Sequence, residues 1–229
     1  MAKEFFAHEM DEYRRVVAAW NRRLAQLDGD PSTHEWNAFR PLRVSREEDW
    51  SDWLAHLLET ASSDEFARGL FPRENVVPRV NVQREVAAED WRADLVIHWG
   101  ASHTHVEVKV GDEHFAKTEQ TALALETASI GSWTHYLLLP SGDLARANDA
   151  LGKSTVTIHK LTWEQVASAL RRALLSKLEN VRWRAFAHAF CGAIEQQLLK
   201  YPRDPVKTLS QLAARKQQLD LMNGAWIDE

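Results

Sequence analysis

The chain has 229 residues, 45% of them hydrophobic, and a formal net charge of −5. This composition suits one generous domain and argues against a disordered protein. Phosphate contacts dominate general nucleic-acid binding, so the acidic balance argues against a protein that coats nucleic acid through a broad basic surface, though not against an enzyme with a local site. Cys191 is the only cysteine, which excludes an intramolecular disulfide and a cysteine-based zinc site.

The amino end lacks the basic start, apolar run and cleavage site of a signal peptide. No apolar stretch approaches the roughly 18 to 20 residues needed to cross a bilayer. We therefore expect a soluble, cytoplasmic protein that does not bind a membrane.

The first 44 residues predict an N-terminal helix and a loop. Apolar residues alternate spacings of four and three, which is typical of one helix face; they are Phe6, Met10, Tyr13, Val17, Trp20, Leu24 and Leu27. This stripe could seat a partner helix in a homodimer or pack on the chain's own core. Residues 28–45 contain Pro31 and Pro41 and predict the loop.

Residues 45–160 predict a core that mixes strands and helices. Ser45 resembles an N-cap, followed by the acidic turn Glu47, Glu48 and Asp49 and by an apolar helical face that includes Leu54. Strands are predicted at 76–86, 93–99, 105–110, 134–139 and 155–159, with a helix at 112–129 between the third and fourth of them.

Residues 161–229 predict a helical C-terminal region. Thr162 caps a first helix, a second carries Phe190 and Leu198, and residues 209–222 form a last amphipathic stretch. The predicted fold class is α/β, with a small mixed sheet flanked by helices and helical additions at both ends.

The hairpin formed by the second and third strands separates two kinds of side chain. If the turn is centred between Ala101 and Ser102, Asp94 faces Lys109, and Val96 faces Glu107. One hairpin face is then entirely apolar, and the other carries Asp94, His98, His105, Glu107 and Lys109.

This polar face predicts a metal-dependent hydrolytic site. Two carboxylates held close repel each other, and Mg²⁺ relieves that repulsion while leaving positions for water and phosphate; Mn²⁺ could substitute. The cation can acidify a water molecule, and Lys109 can orient or deprotonate that water or stabilise the transition state. Hydrolysis of a phosphodiester bond needs these parts.

Asp94 followed by Glu107-Val108-Lys109 resembles the PD-(D/E)XK nuclease superfamily. The resemblance covers residues 45 to about 140 and implies a restriction-endonuclease-like core of helix, three antiparallel strands, helix and a further strand. Asp94 follows Ala93 instead of the motif's proline, and Asp90 is a rival for its role; register favours Asp94, because only Asp94 lies on a strand opposite Lys109.

Two further residues match positions that the superfamily often uses. Glu47, with Glu48 as second choice, matches a glutamate on the first core helix that joins the metal site, and Gln120 matches a glutamine that holds water or phosphate. The implied metal ligands are therefore Glu47, Asp94 and Glu107, and the implied catalytic residues are Asp94, Glu107, Lys109 and Gln120.

Two other groups could act outside this motif. His98 and His105 would oppose each other near the turn and could suggest zinc, but no third ligand is evident. Trp183, between Arg182 and Arg184, could pack in the core or stack on a base beside two phosphate-binding guanidinium groups.

The expected function is Mg²⁺-dependent cleavage of DNA by an endonuclease in restriction or phage defence, acting alone, as a homodimer or with other subunits of a defence system. RNA stays open as a substrate. One alternative is a catalytically inactive protein that uses this fold to bind nucleic acid or a protein partner in a larger assembly. Another is a helical interaction protein that works through its amphipathic ends.

Overall fold

The computed structural model describes residues 2–26, 31, 44, 46–72, 80–88, 90–111, 114–128, 131–176 and 178–202, with no side-chain description for 2–10 and 12. Ser45, most of the predicted loop at 28–45, residues 76–79 of the predicted first strand and the predicted helix at 209–222 lie outside these ranges. Within them, no helix is both long and apolar enough to cross a membrane.

The described chain contains seven α-helices and five strands. The helices are α1 (Ala2–Gln26), α2 (Glu47–Thr60), α3 (Glu65–Leu70), α4 (Ala116–Ala128), α5 (Leu144–Leu151), α6 (Trp163–Leu175) and α7 (Val181–Ala193). The strands are β1 (Asn81–Ala88), β2 (Trp91–Trp99), β3 (Ser102–Val108), β4 (Ser132–Leu139) and β5 (Ile158–Thr162). A single 3-10 turn precedes α5, and a π-helical turn extends α7.

The strands form one mixed sheet in the order β1-β2-β3-β4-β5. The first three pair antiparallel, whereas β3, β4 and β5 run parallel to one another. Parallel neighbours need a crossover connection, and α4 and α5 supply one each. The predicted α/β class with a small mixed sheet flanked by helices is confirmed.

Helices cover both faces of the sheet. On one face α2, α3, α6 and α7 share a single core with alternate residues of the sheet, including Leu95, Val106 and Leu138. On the opposite face α4 packs on Val96 through Ala124 and Leu125, and α5 packs on β4 through Ala147 and Leu151. The C-terminal helices α6 and α7 therefore belong to the same hydrophobic core as β2 and β3.

Local sequence signals explain several helix ends. Thr162 caps α6 as predicted: its hydroxyl accepts from Gln165 N at 3.3 Å, and its own N–H donates to Gln165 Oε1 at 2.8 Å. At the start of α2 the N-cap is Arg46, whose N–H donates to Asp49 Oδ2 at 3.0 Å. The apolar face predicted for α1 is buried only in part: Trp20 is buried, but Tyr13 is 41% exposed.

Candidate active site

The turn of the β2–β3 hairpin is centred one residue earlier than the sequence suggests, which shifts every cross-strand partner by two residues. Trp99 pairs with Ser102, so Gly100 and Ala101 form a two-residue turn, in which Gly100 adopts the positive φ of 78° that such turns require. Leu95 pairs with Val106, and this register brings Asp94 opposite Glu107. The prediction that Asp94 faces Lys109 is therefore wrong, by two residues. A shift of two residues leaves every side chain on its predicted face.

Asp94 and Glu107 lie on the sheet face that α4 covers. Asp94 Oδ2 accepts a hydrogen bond from Val108 N at 2.8 Å, which fixes the carboxylate beside β3. Glu107 is fully buried, and neither of its carboxylate oxygens has a hydrogen bond of good geometry. Burying a carboxylate that lacks hydrogen bonds lowers the stability of the fold unless a cation compensates its charge.

Lys109 is held in place through its backbone on both sides. It follows β3 directly, where its N–H donates to Leu138 O at 2.8 Å and its carbonyl accepts from the Trp163 indole at 2.9 Å. The side chain is buried, with Nζ 3.2 Å from Glu107 Oε1 and 3.2 Å from Glu47 Oε2. Strands β3 and β4 and helix α6 together set where this ammonium points.

Glu47 reaches the site from the first turn of α2, as the family resemblance implies. Its Oε1 accepts from Val110 N at 3.0 Å, and its Oε2 accepts from Lys109 Nζ at 3.2 Å. Glu47 is thus held against Lys109. Among the described residues no group of three or more histidine, cysteine, aspartate or glutamate side chains is arranged to hold a metal ion, so the expected sharing of one cation by Glu47, Asp94 and Glu107 is not seen.

Lys117, on α4, is a site residue that the sequence reasoning missed. Its Nζ lies 3.0 Å from Glu107 Oε1, the same oxygen that Lys109 contacts. Gln120, one turn further along α4, is exposed, and in the part of the chain that the structure describes it makes no hydrogen bond to either carboxylate. The sequence signal for Lys117 was its position near the start of the helix that follows β3.

The two carboxylates differ in their electrostatic surroundings. Burial, and next the charge of Glu107, raise the pKa of Asp94 to about 6, against the opposing effect of the Val108 N–H. Burial alone would also raise the pKa of Glu107, but the ammonium groups of Lys109 and Lys117 outweigh it and lower that pKa. We assign this lowering to the ammonium groups, because His105 Nε2 is 3.7 Å from Glu107 Oε2, beyond hydrogen-bond distance.

Lys109 is a cation at neutral pH. Burial alone would lower its pKa, but the neighbouring carboxylates, led by Glu107, outweigh burial and hold the pKa above its ordinary value. In this arrangement Lys109 donates hydrogen bonds and supplies positive charge, and it does not serve as a base.

The ladder between β1 and β2 is interrupted beside Asp94. Glu85 stands at the register position opposite Asp94 and has a φ of 55°. A non-glycine residue in this left-handed region costs about 1–2 kcal/mol, and such residues cluster at functional sites.

The histidine pairs differ from those predicted. His98 pairs with His103, their Nδ1 atoms 2.9 Å apart, whereas His105 lies beside His135 on β4. The expected opposition of His98 and His105 is therefore wrong. No zinc-ligand group forms around either histidine among the described residues.

The proposed nucleic-acid contacts on α7 are also changed by the structure. Trp183 is 1% exposed, and its indole N–H donates to Leu57 O at 2.8 Å. A base has no access to this ring, so the stacking role is wrong and the core-packing reading holds. Arg182 and Arg184 lie outside the core, with the Arg182 guanidinium 5.7 Å from the Phe186 ring.

The donor set suits a small, oxygen-seeking divalent cation. Mg²⁺ is usually bound through one or two protein carboxylates, with water and substrate phosphate completing its shell. Asp94 and Glu107 supply two such carboxylates on neighbouring strands, and the buried Glu107 oxygens lack hydrogen bonds. The two carboxylates therefore fit the Mg²⁺ ion that the sequence implied.

The chain was compared with known proteins: no family model matches it, and no curated protein or solved structure matches it either.

Proposed function

We propose that the chain is a Mg²⁺-dependent nuclease that hydrolyses phosphodiester bonds of DNA, an endonuclease of a cytoplasmic restriction or phage-defence system. The observation that carries the proposal is the fully buried Glu107, beside Asp94, with two lysine ammonium groups within 3.2 Å of one of its oxygens. Two carboxylates and two ammonium groups around one small volume can take both a divalent cation and a phosphate.

Each residue has a separate task in this mechanism. Asp94 and Glu107 would hold Mg²⁺, which when bound would lower the pKa of an attacking water molecule and offset charge at the phosphate. Lys109, charged and fixed by its backbone, orients that water by donating to it and stabilises the developing negative charge. Glu47 positions Lys109 through the 3.2 Å contact.

Lys117 supplies a charge that can reach substrate. Its side chain is 33% exposed, whereas that of Lys109 is 3% exposed. Lys117 is therefore the ammonium that can leave Glu107 and contact a phosphate arriving from solvent. Arg182 and Arg184 remain candidates for contacts with the phosphate backbone of a nucleic acid outside the active site.

The order of elements supports the same proposal. Helix α2, the antiparallel strands β1 to β3, helix α4 and strand β4 follow one another as the PD-(D/E)XK resemblance implies, with the short α3 added. Fold alone does not decide function, so the side chains of the site are the stronger support for the proposal.

The test is a cleavage assay with Mg²⁺ or Mn²⁺ on single-stranded DNA, duplex DNA and RNA. Asp94→Ala and Lys109→Ala should each abolish cleavage while the far-ultraviolet circular dichroism stays unchanged. Asp90→Ala is the matched control: this exposed aspartate in the β1–β2 turn was the rival candidate, and its loss should leave cleavage intact. Cleavage that survives both of the first two substitutions would overturn the proposal.

One observation favours a second candidate, a catalytically inactive protein that binds nucleic acid or another protein. Lys109 and Lys117 already compensate Glu107, and Glu47 is engaged with Lys109. Absence of Mg²⁺ and Mn²⁺ binding, together with nucleic-acid binding that Asp94→Ala leaves unchanged, would favour this candidate over the enzyme.

A further inference from the structure

A row of buried side chains leads from Glu107 to the surface near the end of α4. His105 Nε2 lies 3.7 Å from Glu107 Oε2. On the other side of the ring, His105 Nδ1 lies 3.3 Å from His135 Nδ1, and His135 Nε2 lies 3.1 Å from Glu126 Oε1. His105 and His135 are 0% and 2% exposed, whereas the Glu126 side chain is 44% exposed.

The two rings carry one N–H too few to serve all three gaps in this row. Each neutral imidazole has a single N–H, and both carboxylates can only accept. One N–H lies between the rings, so the other serves either Glu126 or Glu107. A third proton would make one ring an imidazolium, and a charged ring is disfavoured because both rings are buried. For His135, burial first and the adjacent His105 lower the pKa to about 4.

The distances decide which carboxylate is served. The contact of His135 with Glu126 has hydrogen-bond length, whereas the gap between His105 and Glu107 does not. His105 Nε2 and Glu107 Oε2 are both buried and without a hydrogen-bond partner. His135 therefore carries its proton on Nε2, His105 carries its proton on Nδ1, and His105 Nε2 is unprotonated.

We propose that Glu126 is a positioning residue for the cation site: it holds the two histidines in these tautomers and thereby keeps Glu107 Oε2 without a donor, open to a divalent cation. This rests on the proposed function of Glu107 as a ligand. An N–H donated to Glu107 would draw charge from the carboxylate and weaken its bond to a cation. Glu126 would thus act on the site through two rings.

Glu126→Lys tests the proposal, because an ammonium can only donate. The new ammonium group can donate to His135 only if His135 Nε2 carries no proton, so the protons of both rings must move. His135 then donates from Nδ1 to His105, and His105 donates from Nε2 to Glu107. In long-range ¹H–¹⁵N spectra of the metal-free protein at pH 7, we expect His105 to be protonated on Nδ1 in the wild type and on Nε2 in the variant. Calorimetry should show Mn²⁺ affinity weakened about fivefold in the variant.

Glu119→Lys is the matched control: it makes the same change of charge on the same helix, at a glutamate that accepts hydrogen bonds from the N–H and the hydroxyl of Thr155. It should change neither the tautomers nor the Mn²⁺ affinity by as much as Glu126→Lys. The proposal is overturned if wild-type His105 is protonated on Nε2, if either ring is doubly protonated, if Glu126→Lys leaves the tautomers unchanged, or if both variants weaken Mn²⁺ equally. If the tautomers reverse but the wild type binds no Mn²⁺, it is the nuclease proposal that fails.

Discussion

The two faces of the β2–β3 hairpin are made from alternate residues of the same strands, yet they bury opposite kinds of chemistry. The face towards α2 and α6 carries Leu95, Ile97, Val106 and Val108, all fully buried in the main core. The face towards α4 also excludes solvent, but it buries His105, Glu107 and other polar groups. The first face stabilises the fold, whereas the second carries charges that a fold chosen for stability alone would not keep.

The largest expected effect is on the polar face. Glu107→Gln keeps the shape of the side chain but removes the charge between the two ammonium groups, so we expect cleavage to fall by about a hundredfold or more with little change in circular dichroism. Glu48→Gln is the matched control, since Glu48 is exposed on the same turn as Glu47. Equal activity of the two variants would show that the polar face is not catalytic.

A substitution on the apolar face should lower the free energy of unfolding and leave the catalytic activity unchanged. Leu95 is fully buried, and Leu95→Ala should lower the free energy of unfolding by about 2–5 kcal/mol, measured by urea denaturation. Activity per folded molecule should stay near the wild-type value. Leu123→Ala, at a leucine that is 40% exposed, should cost less than about 0.5 kcal/mol; a similar cost at both positions would contradict the assignment of faces.

Asp94 makes the metal-free protein less stable at neutral pH. Folding raises its pKa to about 6 from an ordinary 3.8, so the stability linked to its protonated form is present below pH 3.8 and is lost as the pH rises through about 6. Asp94→Asn should therefore raise the free energy of unfolding by about 1–2 kcal/mol at pH 7. The measurement is denaturation of both proteins in a chelator.

That stabilisation should shrink as the pH falls through 6 and disappear near pH 3, where Asp94 is largely protonated in both the folded and the unfolded chain. If the difference in the free energy of unfolding between the two proteins stays constant from pH 3 to pH 7, folding does not raise the pKa of Asp94 and the assignment is contradicted. The same substitution should abolish Mn²⁺ binding, so that stability and function change in opposite directions.

Lys117→Met should have the smallest effect. The ammonium lies 3.0 Å from Glu107 and competes with any other cation there, but it is partly exposed and screened. We expect Mn²⁺ to bind about threefold more tightly by calorimetry, while cleavage slows because a phosphate contact is lost. Lys153→Met, at an exposed lysine on the α5–β5 connection, should change neither; tighter binding there too would point to net charge alone.

The contrast between the faces could be predicted from the sequence because strand residues alternate with a period of two. The opposite partners could not, since two-residue turns at neighbouring positions give registers that differ by two and share the same faces. Val96, Glu107 and Lys109 thus kept their predicted face although every predicted cross-strand pair was wrong.

Tertiary packing explains what else was missed. Lys117 and Gln120 are one helical turn apart, and only the way α4 sits on the sheet brings Lys117 to Glu107. Trp183 has the same flanking arginines whether it is buried or exposed, so the sequence alone left both readings open. Helix α5 was not predicted, because it buries only Ala147 and Leu151 and its apolar signal is short.

Binding of Mn²⁺ to the metal-free protein, followed by titration calorimetry, tests most directly the claim that the polar face of the hairpin is a cation site. We predict saturable binding to the wild type at pH 7, an affinity weakened by about tenfold or more in Glu107→Gln, and an unchanged affinity in Glu48→Gln. Absence of binding to the wild type, or equal binding to the wild type and Glu107→Gln, would contradict it.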